Sequence, residues 1–351
     1  MHESSSLLPT HRIRSLDIIR GIALFGILLI NVHFFMVTDI FNVPEEVIPA
    51  DTLLGQTISV FVEKKFYSIF SFLFGVGFFI FATKAESKGW KPLRLFSRRL
   101  FILFVIGLFH LYFFLGSILS MSALIALFLL PFYRRTVPGI MRWWSILFAL
   151  YTLSYIGQIV TSPQWYFFLC GNDAVIIWLM FLAGLLYGKL GFLKEDQTSD
   201  RRLRTVQRTT FPIFVIGVIV LYVLYVGYGW SNTAIDAYLG LFAIPMTFFY
   251  IATLFLVLRQ TDVVERLQPI GYVGQMAFTN YLLQNVIGVA LITAFGNPTS
   301  IGLLTFIALL IYMIQIVYSV IYFKYFKIGP LESIWRRLTY GRRYRHHTFS
   351  K

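Results

Sequence analysis

Few side chains in the 351-residue sequence can do chemistry, and most of them sit inside long apolar runs. Asp17 has an arginine three residues away on either side, Arg14 and Arg20, which is pairing distance on one helix face. Asn31 follows Arg20 by eleven residues, close to three whole turns, so Asp17, Arg20 and Asn31 form one polar stripe. Such a stripe is either an ion pair anchoring a helix, with Gly21 allowing close packing, or a cationic site for a phosphate-bearing anion, which a guanidinium suits. His110 lies ten residues into an apolar run, and its neighbours Phe109, Leu111, Tyr112 and Phe113 offer no carboxylate. An imidazole there is a packing group, or a general base or proton carrier. His33 falls off the Arg20 stripe and reads as an interface residue.

Glu63 and Lys65 precede a run in which Glu63, Tyr67, Ser71 and Gly75 recur every four residues. The two charged residues stand where a substrate head group could be met, and Glu63 is a candidate partner for His110. Ser71 and Gly75 make a small-residue pair of the kind that packs helices. Farther on, Gln275, Thr279, Asn280, Gln284 and Asn285 crowd one apolar stretch. They are interhelical hydrogen-bonding groups or, for Thr279, Asn280 and Gln284, substrate contacts. No second His or Cys stands at ligand spacing, so no metal is expected. The single cysteine, Cys170, excludes a disulfide within the chain.

The elements that must hold these residues follow from composition. Hydrophobic residues make up 58% of the chain and charged residues 13%, with mean hydropathy +0.73. A soluble domain is about a quarter charged. A soluble enzyme and a nucleic-acid-binding domain are therefore excluded, despite a formal charge of +14. The expected fold is an all-α, polytopic transmembrane bundle. Ten runs approach the ~20 residues a span requires: 17–37, 66–83 (with an amphipathic extension from 52), 100–116, 117–132, 143–161, 174–192, 210–228, 235–258, 274–295 and 300–323. They divide the chain into a polar N-terminal tail (1–13), a transmembrane unit (14–323) and a basic C-terminal tail (324–351).

Placing both termini in the cytoplasm puts every Lys and Arg except Arg20, Lys64 and Lys65 on the inner side. The outer loops then carry Asp39, Glu45, Glu46, Asp51 and Asp173, as the positive-inside rule requires. The first span has no small-residue cleavage site and is expected to be retained. The expected setting is a bacterial inner or plasma membrane, with lipid and a small-molecule or lipid-linked substrate as partners.

Five blocks together resemble a known family. RSLDIIRGIALFGILLIN from Arg14, FYSIFSFLFGVGF from Phe66, RRLFILFVIGLFH ending at His110, GQMAFTNYLLQN from Gly274, and Gly329-Pro330-Leu331-Glu332 with Trp335, Arg336, Leu338, Thr339 and Tyr340 are similar to the bacterial YeiB-like membrane proteins. That family is of unknown function (domain of unknown function 418). The Asp-x-x-Arg-Gly opening also looks like that of integral-membrane acyltransferases, which move acyl groups from a cytoplasmic coenzyme A thioester to an outer acceptor. The histidine that one branch of those enzymes carries three turns on is Asn31 here. Two departures from the YeiB-like pattern stand out: Ser117 replaces an aspartate, and Gln275 replaces an arginine.

The resemblance implies an acyl-CoA donor held by Arg14, Asp17, Arg20 and Asn31, with His110 and Glu63 acting on the acceptor. The other readings are a transporter or exporter of a small or lipidic solute, and a lipid-binding scaffold.

Overall fold

The computed structural model describes residues 13–35, 52–114, 117–161, 169–194, 196–296 and 300–341. The acids from Asp39 to Asp51 and the basic tail beyond 341 lie outside the described residues. Among the described residues every regular element is helical. In chain order these are α1 (Arg14–Asn31), α2 (Leu53–Phe61), α3 (Lys65–Ser87), α4 (Pro92–Phe113), α5 (Leu119–Leu127), α6 (Val137–Val160), α7 (Asp173–Lys189), α8 (Gln197–Tyr222), α9 (Asn232–Val257), α10 (Thr261–Arg266), α11 (Gln268–Gln275), α12 (Ala277–Ala294), α13 (Ile301–Tyr325) and α14 (Pro330–Tyr340).

Among the described residues, eight helical stretches are long and apolar enough to cross a bilayer. The two expected spans that fall short of that length are α5, with nine residues, and α7, with 17. The chain after α5 tightens into a 3-10 turn at Leu130–Arg134, where Pro131 enters. α7 is short but central, and almost every residue from Ile176 to Gly188 is buried. Helix starts follow local chemistry. The side chains of Thr52, Asn172 and Asp196 accept the Gly55, Val175 and Ser199 N–H groups at 3.1, 3.2 and 2.8 Å, and prolines open α4, α6 and α14.

α3 and α7 share the most extensive contact of any helix pair. The contact is backbone on backbone: a Cβ at Gly75 would lie 2.1 Å from the Phe181 carbonyl oxygen, and one at Gly184 would lie 2.0 Å from that of Phe72. Without a hydrophobic force between helices in lipid, such close approach supplies the packing energy. α1 lies between α3 and α11. The outward faces of α6 and α8 carry exposed Leu150, Leu153, Ile156, Ile216 and Ile219. Exposed apolar side chains on this scale need a lipid solvent.

One end of the bundle bears Arg14, the α3–α4 connection and α14; the other bears Lys64, Asp173 and Asp236. We call these the basic and acidic ends.

Candidate functional site

His110, near the end of α4, is held at both ring nitrogens. Its Nδ1 lies 2.7 Å from the Ser117 hydroxyl and its Nε2 lies 2.8 Å from Asn285 Nδ2 on α12. An amide nitrogen only donates, so in this arrangement Nε2 is the acceptor and Nδ1 carries the proton toward Ser117. The Tyr281 ring packs 5.4 Å from the imidazole. Its hydroxyl accepts the Ile118 N–H at 3.3 Å, and the Ser117 and Asn31 side chains also face it. α1, α4, the start of α5 and α12 thus meet at one network of neutral polar groups. Ionised groups would be expensive at such depth, roughly 2.5–3.5 kcal/mol each on insertion scales.

A cavity of about 280 Å³ runs from the basic end to Tyr281, at the edge of this network. Arg20, Arg99 and Arg336 line it together with Glu332, Trp335 and Gln275; Phe74, Phe78, Phe96 and Phe181 form its wall; Ile118, Ser122 and Tyr281 are at the end nearest His110. The wall is a packed aromatic surface, with the tilted ring centroids of Phe78 and Phe96 4.3 Å apart and those of Phe74 and Phe181 4.9 Å apart.

The charges around the cavity are unequally matched. Arg20 bonds Asp17 at 2.9 Å and the Gly274 carbonyl at 3.3 Å. That geometry depends on Gly274, since a Cβ there would lie 1.9 Å from the Asp17 carbonyl oxygen. The Glu332 carboxylate is committed to the start of α12, accepting from Phe278 N at 2.8 Å, Thr279 N at 3.0 Å and Thr279 Oγ1 at 2.6 Å. The start of α12 exists because the chain breaks at Met276 (φ −115°, ψ 40°), leaving N–H groups that need partners inside the protein. Arg99 lies 3.9 Å over the Trp335 ring, while the Trp335 indole donates to the Arg99 carbonyl at 3.1 Å. Neither Arg99 nor Arg336 has a carboxylate partner among the described residues. Outside the spans, burial pushes the Tyr340 phenol up, an effect that nearby Arg99 and Arg336 oppose.

The acidic end holds a second cluster. Lys64, in the turn between α2 and α3, has φ 61°, and its ammonium bonds Asp173 and Asp236 at 2.8 Å each. Lys65 is fully buried with its Nζ 3.2 Å from the Ser59 carbonyl. Glu63 sits in this turn, and no described contact joins it to His110.

The residues expected to act therefore separate into groups. Arg20 lines the cavity and Asn31 faces Tyr281 at its deep end. Asp17 serves Arg20, and Arg14 is exposed at the start of α1. Glu63 and Lys65 belong to the acidic end, apart from His110. Thr279 is bound to Glu332. Asn280 donates to Val273 O at 3.0 Å and Ser319 Oγ at 3.3 Å, accepts from Tyr318, and its carbonyl takes Gln315. Gln284 is fully buried with neither side-chain atom hydrogen-bonded within the described residues. Groups of His, Cys, Asp and Glu able to hold a metal are absent among the described residues.

Sequence reasoning did not foresee Tyr281, or Glu332 and Trp335 as cavity residues. The separated Glu332-x-x-Trp335 spacing in an amphipathic C-terminal segment was the available signal.

Comparison with known proteins gives a consistent picture. Residues 187–342 match the family described as "Protein of unknown function (DUF418)". The chain is 30% identical to an uncharacterized 39.9 kDa protein in the amylase 3' region of Bacillus acidopullulyticus, over 95% of each chain. It is 27% identical to the uncharacterized protein YxaH of Bacillus subtilis (strain 168), over 96% of this chain and 97% of that one. Identity to the uncharacterized protein YeiB of Escherichia coli (strain K12) is 26%, over 93% and 95%. No solved structure matches.

Proposed function

From the premise that this chain belongs to the YeiB-like family of membrane proteins (DUF418), we propose that it transfers an acyl group from an acyl-CoA at the basic end to an acceptor hydroxyl or amine near His110. One observation carries this reading: a single cavity runs from Arg99 and Arg336, which have no carboxylate partner among the described residues, to Tyr281, whose ring packs against His110. At about 280 Å³ it is just below the ~300–1,000 Å³ of small-molecule sites. It has room for a thioester-bearing arm, with the coenzyme's phosphates left among Arg20, Arg99 and Arg336. Arginine forks suit phosphate, and the aromatic wall suits an apolar arm.

In this mechanism the acceptor displaces the Asn285 amide from His110 Nε2. The acceptor oxygen or nitrogen forms a bond to the thioester carbonyl carbon as its proton passes to Nε2. Ser117 holds the Nδ1 proton and so keeps Nε2 the basic atom. The Tyr281 hydroxyl, at the deep end of the cavity, donates to the charge developing on the carbonyl oxygen. The carbon–sulfur bond then breaks, and the imidazolium returns the proton to the leaving thiolate.

The test uses full-length protein in lipid nanodiscs with acyl-CoA, free coenzyme A and an adenine nucleotide. A ligand at about 100 times its Kd adds roughly 2.7 kcal/mol to the folded state. The thioester and coenzyme A are expected to raise the melting midpoint in the wild type and less in Arg99→Gln. His110→Ala is expected to bind donor but lose transfer. Unchanged transfer in His110→Ala overturns the mechanism, and no midpoint shift with any ligand overturns the donor. The break between α11 and α12 beside the cavity favours a competing reading as a transporter. That reading predicts accessibility of introduced cysteines that alternates between the two ends.

A further inference from the structure

α14 has two unlike faces. Glu332 and Trp335 line the cavity, with Glu332 capping α12, and Thr339 is buried on the same side. Ile334, Arg337 and Leu338 form an outward stripe at helical spacing, with Ile334 50% and Leu338 47% exposed. Beside this stripe a shallow groove of about 430 Å³ runs between the end of α13 and α14. Its cations are Lys327 and Arg337, and its apolar surface comes from Tyr322, Phe326 and Ile334. Phe326 is 56% exposed and stacks on Tyr322 at 4.6 Å. Among the described residues, no acidic side chain lines the groove.

A short helix with exposed aliphatic residues interleaved with arginine lies in the headgroup plane of a bilayer rather than in water. Here it stands directly after a helix long enough to span, at the end of the molecule where the basic loops gather. Water would leave Ile334 and Leu338 unsolvated, and hydrocarbon would strand Arg337 and Lys327. The interface satisfies both. A zwitterionic head group gives two cations no net charge to neutralise, whereas an anionic phosphodiester does.

We infer that the groove between α13 and α14 is a binding site for one anionic phospholipid, its phosphate held by Lys327 and Arg337 and its chains lying along Phe326, Ile334 and Leu338. The site is separate from acyl transfer and stands whether or not that reading holds. It has a structural consequence. A lipid seated there presses on the outer face of the same helix whose inner face carries Glu332 and Trp335, so occupancy steadies the cover of the cavity.

The experiment is a thermal melt of the purified full-length protein in uncharged detergent. The additions are dioleoyl-phosphatidylglycerol, dioleoyl-phosphatidylcholine or inorganic phosphate. Phosphatidylglycerol is expected to raise the midpoint by several degrees, with the rise shrinking as salt is added. Phosphatidylcholine and phosphate are expected to leave it unchanged. Lys327→Gln/Arg337→Gln should lose the rise, measured from its own lipid-free midpoint. Arg201→Gln/Arg204→Gln, with the same charge change on exposed residues at the start of α8, should retain it. Equal rises with the two lipids, a rise reproduced by phosphate, or a rise that survives in Lys327→Gln/Arg337→Gln or disappears in Arg201→Gln/Arg204→Gln would each overturn the site.

Discussion

Ser117 does for His110 what a carboxylate does in most histidine-dependent catalysts: it receives the Nδ1 proton, at 2.7 Å. A hydroxyl orients the ring but stabilises the imidazolium little. Ser117→Asp, the residue of the YeiB-like pattern, is therefore expected to raise transfer by about tenfold or more, since loss of the orienting carboxylate costs up to ~10⁴ in serine hydrolases. Steady-state rates in nanodiscs test this, and a fall in rate would exclude His110 Nε2 as the base. A second residue-scale prediction uses two glycines two positions apart on α3. Gly77 lines the cavity, and a Cβ built on it meets nothing within 4 Å. Gly77→Leu is expected to fill the cavity, keep the wild-type midpoint and abolish stabilisation by the thioester. Gly75→Ala forces a methyl against a carbonyl and should lower stability by about 1–3 kcal/mol.

At the scale of elements, α12 and α14 depend on each other. α12 begins inside the protein at a chain break, and its first N–H groups are satisfied by Glu332 from 53 and 54 residues away in sequence. Removing that charged acceptor leaves buried donors unpaired. Glu332→Ala should therefore lose about 1.5–3 kcal/mol, and Glu332→Gln, which keeps one acceptor oxygen, less than half of that. Thermal melts rank the two variants. Hydrogen exchange should locate the loss at the start of α12 and along α14 rather than in α3 or α7. A uniform loss of protection would mean that α14 has no special link to α12.

For the whole molecule, the acidic end is tied by one lysine. Lys64 bridges α3 to α7 and α9 through Asp173 and Asp236, whose side chains are about half exposed while Lys64 is 6% exposed. Water screens the carboxylates, so Asp173→Asn or Asp236→Asn alone should cost under about 1 kcal/mol. Lys64→Met leaves two like charges facing each other and should cost more than either. Adding both Asn substitutions to Lys64→Met should recover most of the loss. Chemical denaturation in detergent checks the order, and additive losses would show that Lys64 acts by packing instead of charge.

Hydropathy alone determined that this is an all-helical membrane protein, because backbone groups in lipid are satisfied only within helices or closed barrels. Charge asymmetry marked a basic and an acidic end. Spacing within one helix placed Asp17 against Arg20, since a separation of three is fixed by the helix itself. The length of α5, the break at Met276 and the separation of Glu63 from His110 were decided by packing between helices, which leaves no periodic trace. Tertiary structure also decided that Asn285 and Ser117 meet His110 and that Glu332 reaches the start of α12. Those contacts join residues 7 to 175 positions apart, and at such separations only the mutual fit of helix faces selects partners.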